Sequence, residues 1–413
     1  MRHHLAMDPV ATDDLVHELL SQRARNATSS VIRDLLQHAN RPDVISLAGG
    51  IPAPELFPIE PLAQSAATAL DELGSDAVQY GLTEGVVELR ELVAVEADLA
   101  AGGATTTTPE QVLVTTGSQQ AIDLLGRVLL DPGDVVVTDD PAYLGALQAI
   151  RGHDPELVGI SIDEHGLVTA DLAERLEAGL RPTFVYTNPN FQNPTGVTMS
   201  LERRRELAAL ADRYGFLVVE DDPYGALRFE GEAVPTMASF SDRVVRIGTV
   251  SKTLAPGLRV AWLIGPQPLV DAVTIGKQAV DLHTSTFAQH TALGLLRQPG
   301  WFADHQATLG PWYRSRRDAL AAGLASAFGD ELRFSSPDGG MFLWGELHGD
   351  AAVDTTALLH TALDHGVAFV PGSAFAVERP LPHHLRLSFA TASPEQLGDA
   401  AVRLAAAVRA TRG

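Results

Sequence analysis

Between residues 111 and 264 the chain alternates short β-rich runs with amphipathic stretches, and this alternation limits its fold more than any other feature. Strands are predicted at 111–115, 135–138, 157–160, 183–187, 216–220, 244–248 and 260–264. Helices are predicted at 118–130, 143–151, 171–178 and 201–214. Repeated strand–helix alternation builds a mostly parallel sheet covered on both faces, an α/β architecture. Such sheets bind ligands beyond the carboxyl ends of their strands. The residues just after each strand are therefore the candidates for chemistry.

The flanking regions read differently. Two short helices are expected at 13–20 and 30–38, a strand at 44–48, an irregular loop at 49–58, and helices at 62–73 and 87–100. Beyond about residue 269 long helices take over, through 312–328. Short strands at 332–335, 342–345, 367–370 and 385–389 then mix with helices near 354–364 and 394–410. The expected organisation has three parts. An N-terminal segment, 1–48, packs with the small domain; a large domain with a seven-stranded sheet covers 49–285; a smaller α+β domain covers 286–413.

Composition narrows the function. The net charge is −22 and no acidic block concentrates it, which disfavours nucleic acid and anionic membrane surfaces as partners. Without cysteine there are no disulfides, thiolate nucleophiles or cysteine metal sites, and no metal is expected. No run reaches the ~18 apolar residues of a membrane span. A soluble cytoplasmic protein is expected.

Several post-strand stretches carry polar chemistry. Only two lysines, Lys252 and Lys277, stand against 28 arginines. Lys252 lies in Thr249-Val-Ser-Lys-Thr-Leu-Ala-Pro-Gly-Leu-Arg259, a polar turn between two strands. Arginine stays protonated, whereas a lysine amine can lose its proton and form a Schiff base with a carbonyl. The plain alternative is a surface lysine. Thr116-Gly-Ser-Gln119 opens a helix and reads as a cap or as an anion cradle. Tyr143, in Asp139-Asp-Pro-Ala-Tyr143, is core or a platform for a planar ring. Asn193 sits in a turn-rich loop and can donate into a cleft. Glu220-Asp-Asp-Pro-Tyr224 is an exposed acidic turn, or it puts a carboxylate at the end of a buried strand, where it needs a cation.

A Schiff-base lysine, an acid for a pyridinium nitrogen and anion contacts are together what holds pyridoxal 5'-phosphate. On these residues the sequence resembles the fold-type I pyridoxal-phosphate enzymes of the class I/II aminotransferase group, and within it the 2-aminoadipate/kynurenine type. The resemblance runs from about Arg25 to the end. It rests on Ser46-Leu-Ala-Gly-Gly-Ile-Pro-Ala-Pro-Glu-Leu-Phe-Pro58, Tyr80-Gly-Leu-Thr-Glu-Gly85, Asn190-Phe-Gln-Asn-Pro-Thr-Gly196, Glu220-Asp-Asp-Pro-Tyr224, Ser251-Lys-Thr-Leu-Ala-Pro-Gly-Leu-Arg259 and Leu385-Arg-Leu-Ser388, in that order.

The resemblance implies roles at the matching positions. Lys252 would carry the cofactor as a Schiff base and shuttle the α-proton. Asp221 would pair with the pyridinium nitrogen. Tyr224 and Asn193 would bond the ring's phenolic oxygen, and Tyr143 would stack on the ring. Ser118, Gln119, Ser251 and Arg259 would hold the phosphate, with Tyr80 arriving from the partner subunit of a homodimer with shared active sites. Arg386 would clamp the substrate α-carboxylate with its planar fork, beside Gly50 and Asn193. The bonds Asp140–Pro141 and Asn193–Pro194 are implied to be cis. The implied reaction moves an amino group between an L-amino acid and a 2-oxo acid in ping-pong order.

The side-chain pocket departs from the pattern. Arg33 sits where adipate-type relatives place an arginine for the side-chain carboxylate, and it equally fits a solvated position on an amphipathic helix. Thr83-Glu-Gly-Val-Val87 has two valines where relatives often carry an aromatic and a proline. Val260-Ala-Trp262 has alanine where glycine is usual. A pyridoxal-phosphate lyase, cyclase or other specialised enzyme is the alternative, because fold does not fix reaction. A transcription regulator of this type would carry a basic DNA-binding domain in front, and the segment before Gly49 is too short and not basic.

Overall fold

A computed structural model describes residues 41–412, together with residues 16, 19–21 and 24. The helices expected at 13–20 and 30–38 fall largely outside the described residues, and Arg33 falls wholly outside them.

The first strand, β1 (Ile45–Ser46), belongs with the C-terminal part of the chain. Helices α1 (Ile59–Leu73) and α2 (Val87–Ala100) precede the large sheet. That sheet contains β2 (Val112–Thr115), β3 (Val135–Asp140), β4 (Glu156–Asp163), β5 (Gly166–Leu167), β6 (Phe184–Thr187), β7 (Leu217–Asp221), β8 (Val244–Thr249) and β9 (Ala261–Ile264). Their spatial order is β2-β9-β8-β7-β6-β3-β4-β5. The run from β8 to β4 is parallel, and β9 lies antiparallel to both its neighbours. Seven strands correspond to the expected seven. The eighth, β5, turns back on β4 with Leu167 opposite Ile162. Two residues are too few to show an alternation in sequence.

Period-two alternation explains why the sheet is covered twice. Val136, Phe184, Val219 and Val245 point to one face, with residues of α3 (Ser118–Leu129), α4 (Leu144–Arg151) and α7 (Gln267–Gln278). Their chain neighbours Val137, Val185, Val218 and Val244 point to the other, with α5 (Thr169–Glu177) and α6 (Leu201–Tyr214). Each such buried side chain contributes ~1.5–3 kcal/mol. Helix α6 starts where Ser200 Oγ accepts from Arg203 N at 3.3 Å, and it stops at Gly215 with φ 83°.

Helix α8 (Thr286–Leu296) is followed by α9 (Trp301–Phe328). The latter begins well before the expected residue 312 because it runs through Pro311. A proline reads in sequence as a helix break. Here Leu309, Tyr313 and Leu320 are buried on both sides of it, and packing keeps the helix whole. Next come β10 (Leu332–Phe334), β11 (Phe342–Leu347), α10 (Thr355–Asp364), β12 (Val367–Ala368), β13 (Val370–Pro371), β14 (His384–Ser388) and α11 (Pro394–Thr411). The second sheet is antiparallel in the order β10-β11-β14-β13. The run expected at 367–370 is thus split, since β12 pairs instead with β1, Val367 opposite Ile45. No described helix is long and apolar enough to cross a membrane.

Candidate active site

Strands β3, β6, β7 and β8 end side by side at Asp140, Thr187, Asp221 and Thr249. Two of the loops that follow turn through cis peptides, Asp140–Pro141 after β3 and Asn193–Pro194 after β6. Lys252 sits in the loop after β8. Thr249 Oγ1 accepts from Ser251 N at 3.1 Å and tightens that turn. The Lys252 Nζ donates to the Gly50 carbonyl at 2.8 Å and lies 6.0 Å from the Tyr224 ring centroid. Burial, helped by the cations Arg386 and Arg259, lowers its ammonium from 10.5 to about 8, against the pull of Asp221. A Cβ on Gly50 would stand 3.2 Å from Phe342 Cζ, so the loop packs closely on that ring.

Asp221 closes β7 and is buried. Its Oδ2 accepts from Tyr186 Oη at 2.6 Å and from Asn188 Nδ2 at 3.2 Å. Asn188 Nδ2 also reaches the Asp221 carbonyl at 2.9 Å. Burial raises this carboxyl from 3.8 to about 6, and the bonds from Tyr186 and Asn188 restrain the rise. The other oxygen, Oδ1, is buried and has no partner among the described residues. An acceptor left so costs ~1–3 kcal/mol unless a donor arrives.

Arg386 on β14 is 2% exposed. It donates through Nη1 to Asn193 Oδ1 at 2.8 Å and through Nη2 to the Ala48 carbonyl at 2.6 Å. Phe342 and Phe375 lie 4.2 and 5.0 Å from its guanidinium carbon. Burial lowers its pKa to about 10, so it stays charged at neutral pH. Asn193 Nδ2 in turn lies 3.4 Å from Tyr224 Oη, whose own pKa burial pushes up.

Gly117, with φ 87°, forms the turn before α3. A Cβ there would run into the Arg259 guanidinium. Arg259 itself is left-handed, φ 53°, and its Nη2 donates to the Thr116 carbonyl at 3.4 Å. A side-chain cation therefore stands over the N-terminus of α3 at Ser118. Free N–H groups, the helix dipole and a guanidinium in one place make an anion site. Gln119 flanks it, its Nε2 donating to the Gly145 carbonyl at 2.6 Å.

A lysine with a depressed pKa, a buried acceptor awaiting a donor, and an anion cradle fit pyridoxal phosphate by their own chemistry. The comparisons agree. Residues 42–404 match the family Aminotransferase class I and II. The aromatic-amino-acid aminotransferase 1 of Thermococcus litoralis is 39% identical over 94% of each chain. The crystal structure of a kynurenine aminotransferase from Pyrococcus horikoshii superposes with TM-score 0.91 at 36% identity, over 96% of this chain and 98% of that one. That of α-aminoadipate aminotransferase from Thermus thermophilus, complexed with N-(5'-phosphopyridoxyl)-L-leucine, gives 0.87 at 36% identity, over 96% and 98%. The chain belongs to the class I and II aminotransferases. It is a pyridoxal-phosphate-dependent transaminase of fold type I.

Lys252, Asp221, Tyr224, Asn193, Arg386 and Gly50 thus come together at one place, with Arg259 and the start of α3 at Ser118 and Gln119 nearby and Ser251 next to Lys252 in the chain. Tyr143 precedes α4, and Gly145 leaves open the room its ring occupies. Burial and the nearby Asp221 push the Tyr143 pKa up. Tyr80 faces outward, 78% exposed, with its ring edge-on to His283 at 5.6 Å. Sequence reasoning missed Tyr186 and Asn188, which hold Asp221, and also Asp139. Asp139 Oδ2 accepts from Thr187 Oγ1 at 3.1 Å and from Asn188 N at 3.3 Å. Burial pushes that carboxyl up to about 7. Asn188 therefore ties two buried acids on either side of β6. The signal available was a polar residue closing each of three adjacent apolar strands.

Proposed function

We propose that Lys252 is the Schiff-base lysine and proton shuttle of a ping-pong transfer between an L-amino acid and a 2-oxo acid. The observation that carries this reading is the depressed ammonium of Lys252 in the same buried site as the unfilled Oδ1 of Asp221. When bound, the cofactor supplies a carbonyl that captures amino groups and a ring that takes up the electrons left as the α-proton departs. Lys252 does the rest of the proton work. Released by the donor amine, its Nζ takes the α-proton and later returns it, an exchange helped by a pKa near the working pH. Asp221 holds negative charge where a ring N–H donor would complete its second oxygen. Tyr224 and Asn193 would face the phenolic oxygen, Tyr143 the ring. Ser118, Gln119, Ser251 and Arg259 would bind the phosphate, a dianion suited to a helix N-terminus plus guanidinium.

Arg386 would bind the substrate α-carboxylate, with Gly50 and Asn193 alongside. Its fork is held by Asn193 and Ala48, which fixes the carboxylate and so the α-proton over Lys252. The donors named for the relatives, aromatic amino acids, kynurenine and α-aminoadipate, support a broad range of large side chains. Arg33 is proposed to meet an acidic side chain. The site would be completed in a cytoplasmic homodimer, with Tyr80 reaching the neighbouring phosphate. The exposed Val78, Tyr80 and Leu82 support such an interface. A division into a large domain at 49–285 and a small one at 286–413 is supported by the distinct cores behind the two sheets, although Ala292, Leu293 and Leu295 of α8 pack with β2 and β9, and residues 45–46 go with the small domain through the β1–β12 pair.

The test is absorption of the purified protein with pyridoxal phosphate, before and after single amino acids. Loss of the Lys252-linked band on adding a donor, reversed by a 2-oxo acid, is expected. Lys252→Ala should keep the fold and abolish turnover. Near wild-type turnover in that variant, or release of ammonia in place of transfer, would sink the reading.

A further inference from the structure

The chain's second lysine is not at the surface. Lys277, in the last turn of α7, is 0% exposed. A buried ammonium is costly unless paired and fully bonded. Its Nζ donates to Asp281 Oδ1 at 2.6 Å and to Gln120 Oε1 at 3.1 Å. The free ends of these two partners converge on one residue. Asp281 Oδ2 accepts from Thr116 Oγ1 at 2.7 Å and from Gln120 Nε2 at 2.7 Å. Gln120 Oε1 accepts from Thr116 N at 2.7 Å. Thr116 is thus gripped by its hydroxyl and its backbone amide together, while its carbonyl accepts from Arg259. The next residue is Gly117, the turn over which the Arg259 guanidinium lies.

We propose that Lys277 and Asp281 are positioning residues for the cofactor phosphate. From behind the sheet edge they fix the Thr116–Gly117 turn, so that the α3 N-terminus and Arg259 converge on a single anion. The inference rests on the proposed placement of the phosphate at Ser118 and Arg259. The ion pair has no net charge, so its contribution is orientation and not field. Lysine suits the place because its three donors can serve Asp281 and Gln120 from a narrow buried stem. The two oxygens of Asp281 are then divided, one for the lysine and one for the cradle.

A probe that carries a phosphate separates this role from plain packing. Binding of pyridoxal 5'-phosphate, of pyridoxal without its phosphate, and of inorganic phosphate would be measured calorimetrically on the cofactor-free full chain. The double variant K277M/D281N removes both charges, so no unpaired charge is left buried. It should weaken pyridoxal phosphate and inorganic phosphate by ~10–100-fold and pyridoxal by less than about twofold, the scale of lost charge-assisted bonds. T116V is the smaller lesion and serves if the double variant does not fold. It should shift the same ratio by ~3–10-fold. Equal losses for pyridoxal phosphate and pyridoxal, or no loss for either, would overturn the proposal. Failure of the Lys252 reading looks different: the wild type would then form no Lys252-linked absorption band with pyridoxal, while inorganic phosphate still reports on the cradle.

Discussion

Arg386 of β14 donates to Asn193 across 2.8 Å, and the same Asn193 amide faces Tyr224 Oη at 3.4 Å. A residue of the small sheet and a loop of the large sheet therefore share one buried side chain. The arrangement makes the carboxylate clamp and the lysine side of the site a single unit. A guanidinium packed between Phe342 and Phe375 cannot swing out to find substrate. It waits already oriented, and that lowers the entropic cost of binding.

Arg386→Lys keeps the charge but loses the planar fork and leaves the Asn193 oxygen without its donor. The expected result is a ~10–100-fold fall in kcat/KM for donor and acceptor alike, chiefly through KM. Steady-state kinetics of both half-reactions check it. A fall confined to one half-reaction would argue against a shared carboxylate clamp.

The Lys252 ammonium is lowered from 10.5 to about 8. It is protonated below that point and free above it, so near neutral pH it holds ~300-fold more free amine than an ordinary lysine. Amine acylation of the cofactor-free protein, followed by mass spectrometry across pH 6–11, should give a midpoint of about 8 at Lys252. Arg386→Met removes one of the lowering cations and should move the midpoint upward. A midpoint near 10.5 in the wild type would contradict the buried position described here.

Asp221 gives a stability prediction of definite sign. Its folded carboxyl is raised from 3.8 to about 6. The folded state thus favours the protonated form, and the charge costs stability as pH rises through about 6. The penalty is about 3 kcal/mol at most above that range. Asp221→Asn should therefore melt higher than wild type at pH 8 without cofactor, by a few degrees. With pyridoxal phosphate the order should reverse, because only the carboxylate pairs with a ring cation. Paired melting curves, with and without cofactor, decide it; an unchanged order would remove Asp221 from its proposed role.

The legible part of this protein was what repeats or what reacts. Paired valines such as Val136–Val137 and Val218–Val219 announce a sheet covered twice, but not the order of its strands, in which β2 lies beside β9 and β3 beside β6. Lys252 and Asp221 stand out because charge at or just after a strand end needs a reason, whereas Arg386, in the middle of β14, was legible only through the resemblance. The supporting shell left no such mark. Tyr186 reads as one more strand aromatic, and its bond to Asp221 spans two strands whose register sequence does not reveal. Asp139 and Lys277 were visible as residue types, yet Thr187 and Gln120, which bond them, lie 48 and 157 residues away in the chain. Pro311 misled because a local rule against proline in helices yields to the packing of Leu309 and Tyr313.

Gly117→Ala tests the cradle at its tightest point. The position has φ 87°, which a Cβ disfavours by ~1–2 kcal/mol, and the added methyl also meets the Arg259 guanidinium. Two effects are thereby combined, backbone strain and displacement of the cation. Cofactor affinity should fall ~10-fold or more, since a charge-assisted bond to phosphate is lost. Arg259→Ala alone should lose a similar amount with no strain. In the double variant the methyl has nothing to displace, so the losses should not add, and the remaining change in melting temperature measures the strain alone. Full additivity of the two losses in binding free energy would mean that Arg259 and the Gly117 turn act on the cofactor independently.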